Sequence, residues 1–130
     1  MRIMVCYDGS NASKEALMLA RKHAKAFNAK VDVVTSMLKG TQYQLVEIEK
    51  EEHDLDYAKT LFEKDGIACE THLLIRGLTP GEDMIQFARE NNIDEIIIGV
   101  TRKSKVGKFL LGSTAQYVVL EAECPVVTVK

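Results

Sequence analysis

Cysteine is scarce and scattered. Cys6, Cys69 and Cys124 lie 63 and 55 residues apart, so there is no CxxC pair, and zinc-finger and thioredoxin-type chemistry are excluded. Their expected state is reduced and buried. Histidine is equally sparse. His23, His53 and His72 fall on three different predicted elements without ligand spacing, so each reads as a surface or rim residue and no metal cluster is expected. No apolar run approaches the roughly 18 residues of a membrane span. The opening Met1-Arg2-Ile3-Met4-Val5-Cys6-Tyr7 lacks the apolar core and cleavage site of a secretory signal, so the expected location is cytoplasmic. An excess of one charge is also missing. With 17 basic and 19 acidic residues the net charge is −2, which disfavours a general nucleic-acid binder.

What is present points to one soluble globular domain over residues 1–130. Hydrophobic residues make up 46% of the chain, too many for a disordered segment, and 130 residues can hold a core without disulfides or metals. Ile3 to Tyr7 reads as a strand buried on both faces, and Asp8-Gly9-Ser10 breaks it. Ala16, Leu17, Ala20, Ala24 and Phe27 recur at helical spacing between Ser13 and Phe27. Val31 to Ser36 is a second strand. Gln42 to Lys64 is an amphipathic helix whose polar face carries six acids between Glu47 and Asp56, read as a solvated surface. Ile67 to Ile75 is a third strand. Thr79-Pro80-Gly81-Glu82 starts a helix with a capping box and runs to Glu90. Glu95 to Ile98 is a fourth strand. Ser113 to Glu121 is a last helix with Ser113 and Gln116 as its capping box, and Pro125 to Val129 is a final strand. This strict alternation predicts an α/β fold, a doubly wound five-stranded parallel sheet sandwiched by four helices. Such sheets bind ligands at the carboxyl ends of their strands.

The segment Gly99 to Gly112 is the richest in chemistry. Fourteen residues is long for a strand-to-helix connection, and long loops in compact domains are often functional. It holds Arg102, Lys103, Lys105 and Lys108, and the window from Ile96 to Leu120 contains no acid. Ser113 and Thr114 then open a helix, whose free N–H groups and dipole suit a phosphate. The competing reading is that Ser113 merely caps its helix and the cations are solvated. Known motifs fail. Gly107 and Gly112 have Walker spacing, but Ser113 stands where the lysine must be. Asp8-Gly9-Ser10 has one glycine, not the three of a dinucleotide fingerprint. The acids and the lysine of a phosphoacceptor receiver are missing, as is the loop of a pyrophosphatase-type adenylating enzyme.

The chain resembles the universal stress protein family in three stretches. These are Val5-Cys6-Tyr7-Asp8-Gly9-Ser10 with Ser13 and Ala16, Gly77 to Ile85 with Pro80, and Gly99 to Ser113 followed by Cys124-Pro125-Val126-Val127. Gly99, Gly112 and Ser113 match that family's Gly-x2-Gly-x9-Gly-Ser/Thr pattern, while Arg102 replaces its second glycine. The resemblance implies strand order 3-2-1-4-5 in an adenine nucleotide alpha hydrolase-like fold. It also implies ATP or another adenine nucleotide as ligand. Asp8, beside Gly9, would accept from the ribose or hold a phosphate-bridging Mg²⁺, and Ser36 would meet the adenine edge through its backbone. Gly99 and Val100 would line the ribose and α-phosphate, and Gly112, Ser113 and Thr114 the outer phosphates. Arg102 would either pair with phosphate oxygens or crowd them. The family implies a homodimer through Pro125 to Lys130. Three functions follow: a nucleotide-binding stress-response regulator acting on a protein partner, a homodimeric interaction module that does not bind ATP, and a slow ATPase. Asp8 is the sole acid near the site that such an ATPase could use.

Overall fold

A computed structural model describes residues 1–38, 44–101 and 111–130. Its elements are β1 (Arg2–Cys6), α1 (Asn11–Phe27), β2 (Lys30–Ser36), α2 (Gln44–Lys64), β3 (Cys69–Leu74), α3 (Pro80–Glu90), β4 (Glu95–Gly99), α4 (Ser113–Glu121) and β5 (Val126–Val129). All four strand pairings are parallel, in the order β3-β2-β1-β4-β5. This is the architecture expected from the alternation.

The side chains of each strand divide by parity, as pleating requires. Ile3 and Val5 join Val31, Val33 and Ile97 on one face, where α1 brings Leu17 and Ala20 and α2 brings Leu55 and Phe62. Met4 and Cys6 join Val34, Ile96 and Ile98 on the other, under Met84, Ile85 and Phe87 of α3 and Val118 of α4. Both faces are therefore dry, which explains why the strands lack alternation in sequence. The chain enters at the sheet's centre and leaves β1 towards β2, then crosses to the other side at β4. Cys6 is in register with both Val34 and Ile98, so the ends of β1, β2 and β4 meet at this reversal.

Helix ends follow local chemistry. Ser10 caps α1 by accepting from Ser13 N, so the helix begins at Asn11, two residues before the expected start. The Thr79–Glu82 capping box with Pro80 forms as expected. The Ser113–Gln116 box does not. Gly112 is the extended N-cap residue of α4, and Ser113 is already helical, one position too late to cap. The first strand is displaced by one residue, from Arg2 to Cys6, leaving Tyr7 outside it, and the third and fifth strands are shorter than expected, because Ile67, Ala68, Ile75 and Pro125 lie outside them. Of the predicted α2, residues 42 and 43 lie outside the described residues.

Two histidines are not bland rim residues. His72 Nε2 lies 3.0 Å from Oδ1 of the fully buried Asp32, which also accepts from Nε and Nη2 of the Arg2 fork. His23 Nδ1 pairs with Glu95 at the foot of β4. Neither pairing was legible, because both partners are remote in sequence.

Candidate functional site

The reversal point holds a cavity of about 500 Å³. The ends of β1 and β4 supply its floor, with Cys6, Tyr7, Ile98 and Val100. Asp8 and Ser10 form one wall, Ser36 with Pro80 and Met84 of α3 another, and Gly112 to Ala115 at the start of α4 a third. Of the sequence candidates, Asp8, Ser36, Gly99, Val100, Gly112, Ser113 and Thr114 come together here. Gly9 is not among the lining residues. It makes the turn behind Asp8, with φ of +80°, which glycine adopts at little cost. Arg102, with Lys103, Lys105, Gly107 and Lys108, lies outside the described residues.

Gly99 has a structural role. A Cβ there would lie 2.4 Å from the Ala12 carbonyl carbon and 2.6 Å from Ser13 N, so α1 could not rest on β4. Gly112 is the opposite case. A Cβ there meets nothing within 4 Å, and its φ of −62° suits any residue. Among the described residues nothing fills the space at the Gly112 Cβ position, and Gly112 has no side chain to satisfy the unpaired N–H groups at the first turn of α4. That end of the cavity therefore presents donors and a positive dipole.

Asp8 gives the other end the opposite character. Its Oδ1 accepts from Ser10 N at 2.9 Å. Burial alone would raise the Asp8 carboxyl. The hydrogen bonds from the side chain and backbone of Ser10 and from Ser13 outweigh burial and hold the carboxyl below the usual value. It is thus a charged acceptor at neutral pH and the sole carboxylate among the described lining residues. Cys6 is pushed up to about 12 by burial, so its thiol is not a nucleophile.

Sequence reasoning missed the contribution of α3. Pro80 and Met84 form an apolar wall beside Ser36, and Ser36 Oγ donates to the buried Asp83 at 2.6 Å. Thr79-Pro80 announced the helix, but nothing local announced that its first turn borders the cavity.

A second cluster lies on β2 and β3, where one atom each of Asp32, Glu70 and His72 fall within 4.8 Å of one another. Arg2 already holds both Asp32 oxygens, and Lys30 holds Glu70 at 2.9 Å. Its charges are matched internally, and an added cation would have to displace these partners.

The universal stress protein family model matches residues 1–130. A universal stress protein of Methanocaldococcus jannaschii is 32% identical over 140 residues, covering 99% of this chain and 81% of that protein. The structure of a universal stress protein from Archaeoglobus fulgidus superposes with a TM-score of 0.90 at 34% identity, covering 100% of this chain and 98% of the other. A structure of the universal stress protein from that organism in complex with dAMP gives 0.82 at 32% identity, with the same coverage. With the family model spanning every residue and the fold matching in strand order, this chain belongs to the universal stress protein family.

Proposed function

We propose that this chain binds an adenine nucleotide, ATP or a shorter relative, in the cavity at the strand ends and acts as a nucleotide-dependent regulator. The observation that carries this reading is the cavity itself. It joins an open, donor-rich helix start, an apolar floor and a charged acceptor within about 500 Å³, in the size range of small-ligand sites. The phosphates go to the N–H groups of Ser113, Thr114 and Ala115, with Gly112 leaving room for them. The sugar goes to Asp8, which can also hold a phosphate-bridging Mg²⁺. The base goes to Ser36, Pro80 and Met84. The relative from Archaeoglobus fulgidus with dAMP bound, at 32% identity, supports the ligand class. Because no second carboxylate faces Asp8 among the described lining residues, binding is favoured over hydrolysis.

Titration calorimetry and thermal unfolding with Mg-ATP, ADP and AMP test it. A ligand at one hundred times its Kd adds about 2.7 kcal/mol of stability. No heat and no shift at millimolar nucleotide, with binding appearing only in Arg102→Gly, would instead support an interaction module whose site Arg102 closes.

A further inference from the structure

The side chain of Ser36 carries information that a backbone contact would not. Its Oγ lies 2.6 Å from Oδ2 of Asp83, and Asp83 has no exposed surface. A carboxylate has no proton to give, so the single hydroxyl proton of Ser36 is committed to Asp83. The rest of Asp83 is fixed as well. Arg76 Nε donates to Oδ1 at 2.6 Å, Arg76 Nη2 donates to the Asp83 carbonyl at 3.2 Å, and Arg76 Nη1 reaches Glu90 at 3.1 Å. The carboxylate cannot rotate away without breaking a buried ion pair, which is expensive. Ser36 is a lining residue of the cavity, and its hydroxyl has lone pairs alone to offer a ligand.

We infer that Ser36, locked as an acceptor by Asp83, selects a base carrying an amino group over one carrying a carbonyl at the same position. This inference rests on the adenine nucleotide reading and deepens it. Adenine presents a donor at its 6-position, whereas guanine and hypoxanthine present an oxygen acceptor there. A 6-oxo group against the Ser36 oxygen sets two acceptors face to face beside the apolar Met84 and Pro80, with no proton between them. Ser36 is then a specificity-determining residue, and Asp83 is a positioning residue that acts through it.

Calorimetry with AMP and IMP distinguishes the outcomes, since the two share ribose and phosphate and differ at the base. The wild type should bind AMP about tenfold or more tightly over IMP, the effect of one satisfied against one frustrated buried group. Ser36→Ala should bring the two within about threefold. Asp83→Asn should tilt the preference towards IMP, because a carboxamide can donate to Ser36 Oγ and release the serine proton towards the ligand. Should Asp83→Asn fail to fold by circular dichroism, the Ser36→Ala ratio decides alone. An AMP-to-IMP ratio near one in the wild type, or unchanged in Ser36→Ala, overturns the inference and leaves the nucleotide reading standing. Equal weakening of both ligands in Ser36→Ala marks a merely structural serine and also overturns it. Binding of neither nucleotide by the wild type overturns the adenine nucleotide reading, and the inference with it.

Discussion

Gly99 and Gly112 belong to the same sequence pattern, yet their surroundings assign them opposite jobs. Gly99 is pressed against the backbone of Ala12 and Ser13, and backbone cannot move aside as a flexible side chain can. Gly99→Ala is therefore expected to destabilise by about 1–3 kcal/mol, the range for an overpacked core, as read by denaturant unfolding. Gly112→Ser should do the reverse. A serine there can cap α4 and stabilise it by roughly a few tenths of a kcal/mol, while its hydroxyl takes the N–H groups assigned to phosphate. Improved stability with weakened AMP affinity is the expected pair of results, and unimpaired affinity would contradict the phosphate assignment. Glu51 gives a pH signature. Burial first, then the Asp54 charge, raises its carboxyl, and its Oε2 is buried without a hydrogen-bond partner among the described residues. A carboxyl raised on folding holds its proton longer in the native state, so stability falls as pH climbs past the ordinary value of 4.5. Glu51→Gln should raise Tm at pH 7, and the gain should shrink as pH falls towards 4.5 and be gone below it. A gain independent of pH would show that charge burial is not its cause. At this scale Asp8, Gly99 and Ser113 were legible because a turn and a spacing mark them. The Ser36–Asp83 contact spans 47 residues and carries no local signature.

At the scale of elements, the strands announced themselves because both faces of the sheet are dry, leaving runs such as Ile96-Ile97-Ile98. Parallel pairing followed from strict alternation with helices. The cap of α4 was misplaced by a single residue. Both Gly and Ser are competent N-caps, and the choice turns on where the extended backbone ends. The edge strand β5 gives this scale its prediction. Pro125 O and Val129 O accept from Ile96 N and Val100 N of the β4 side, so alternate residues, Val126 and Thr128, direct their backbone groups to the free edge. If two copies pair through this edge, as the family resemblance implies, Thr128→Pro removes an outward donor without touching the β4 ladder. Sedimentation should then find the wild type dimeric and Thr128→Pro monomeric, both with native circular dichroism. A dimer that survives the proline uses another surface.

For the whole molecule, the near-neutral charge of −2 conceals a division of labour. Asp54 of α2 lies against the Gly9 turn beside Asp8, and the start of α4 supplies another part of the cavity lining. A nucleotide fits that polarity, with its phosphates towards α4. Composition alone could show only that a general polyanion binder was disfavoured. The location of the site became legible through topology, since the reversal between β1 and β4 dictates where a ligand can sit. The polar wiring beneath it stayed hidden, because burial and long-range pairing decide it.

The contact of Gly99 with the start of α1 has a further consequence. Ser10 both lines the cavity and caps this helix, and the end of β4 is wedged against its first turn. Cavity wall and helix start thus form one mechanical body. Its far end reaches the opposite rim of the sheet, where Arg21 and Lys25 meet Asp65 and His23 meets Glu95. Occupancy should be audible along that rod. Amide exchange in Ser13 to Leu17 should slow on adding AMP, although α1 beyond its cap does not line the cavity. Exchange unchanged at saturating AMP would mean that the wall and the helix are mechanically uncoupled.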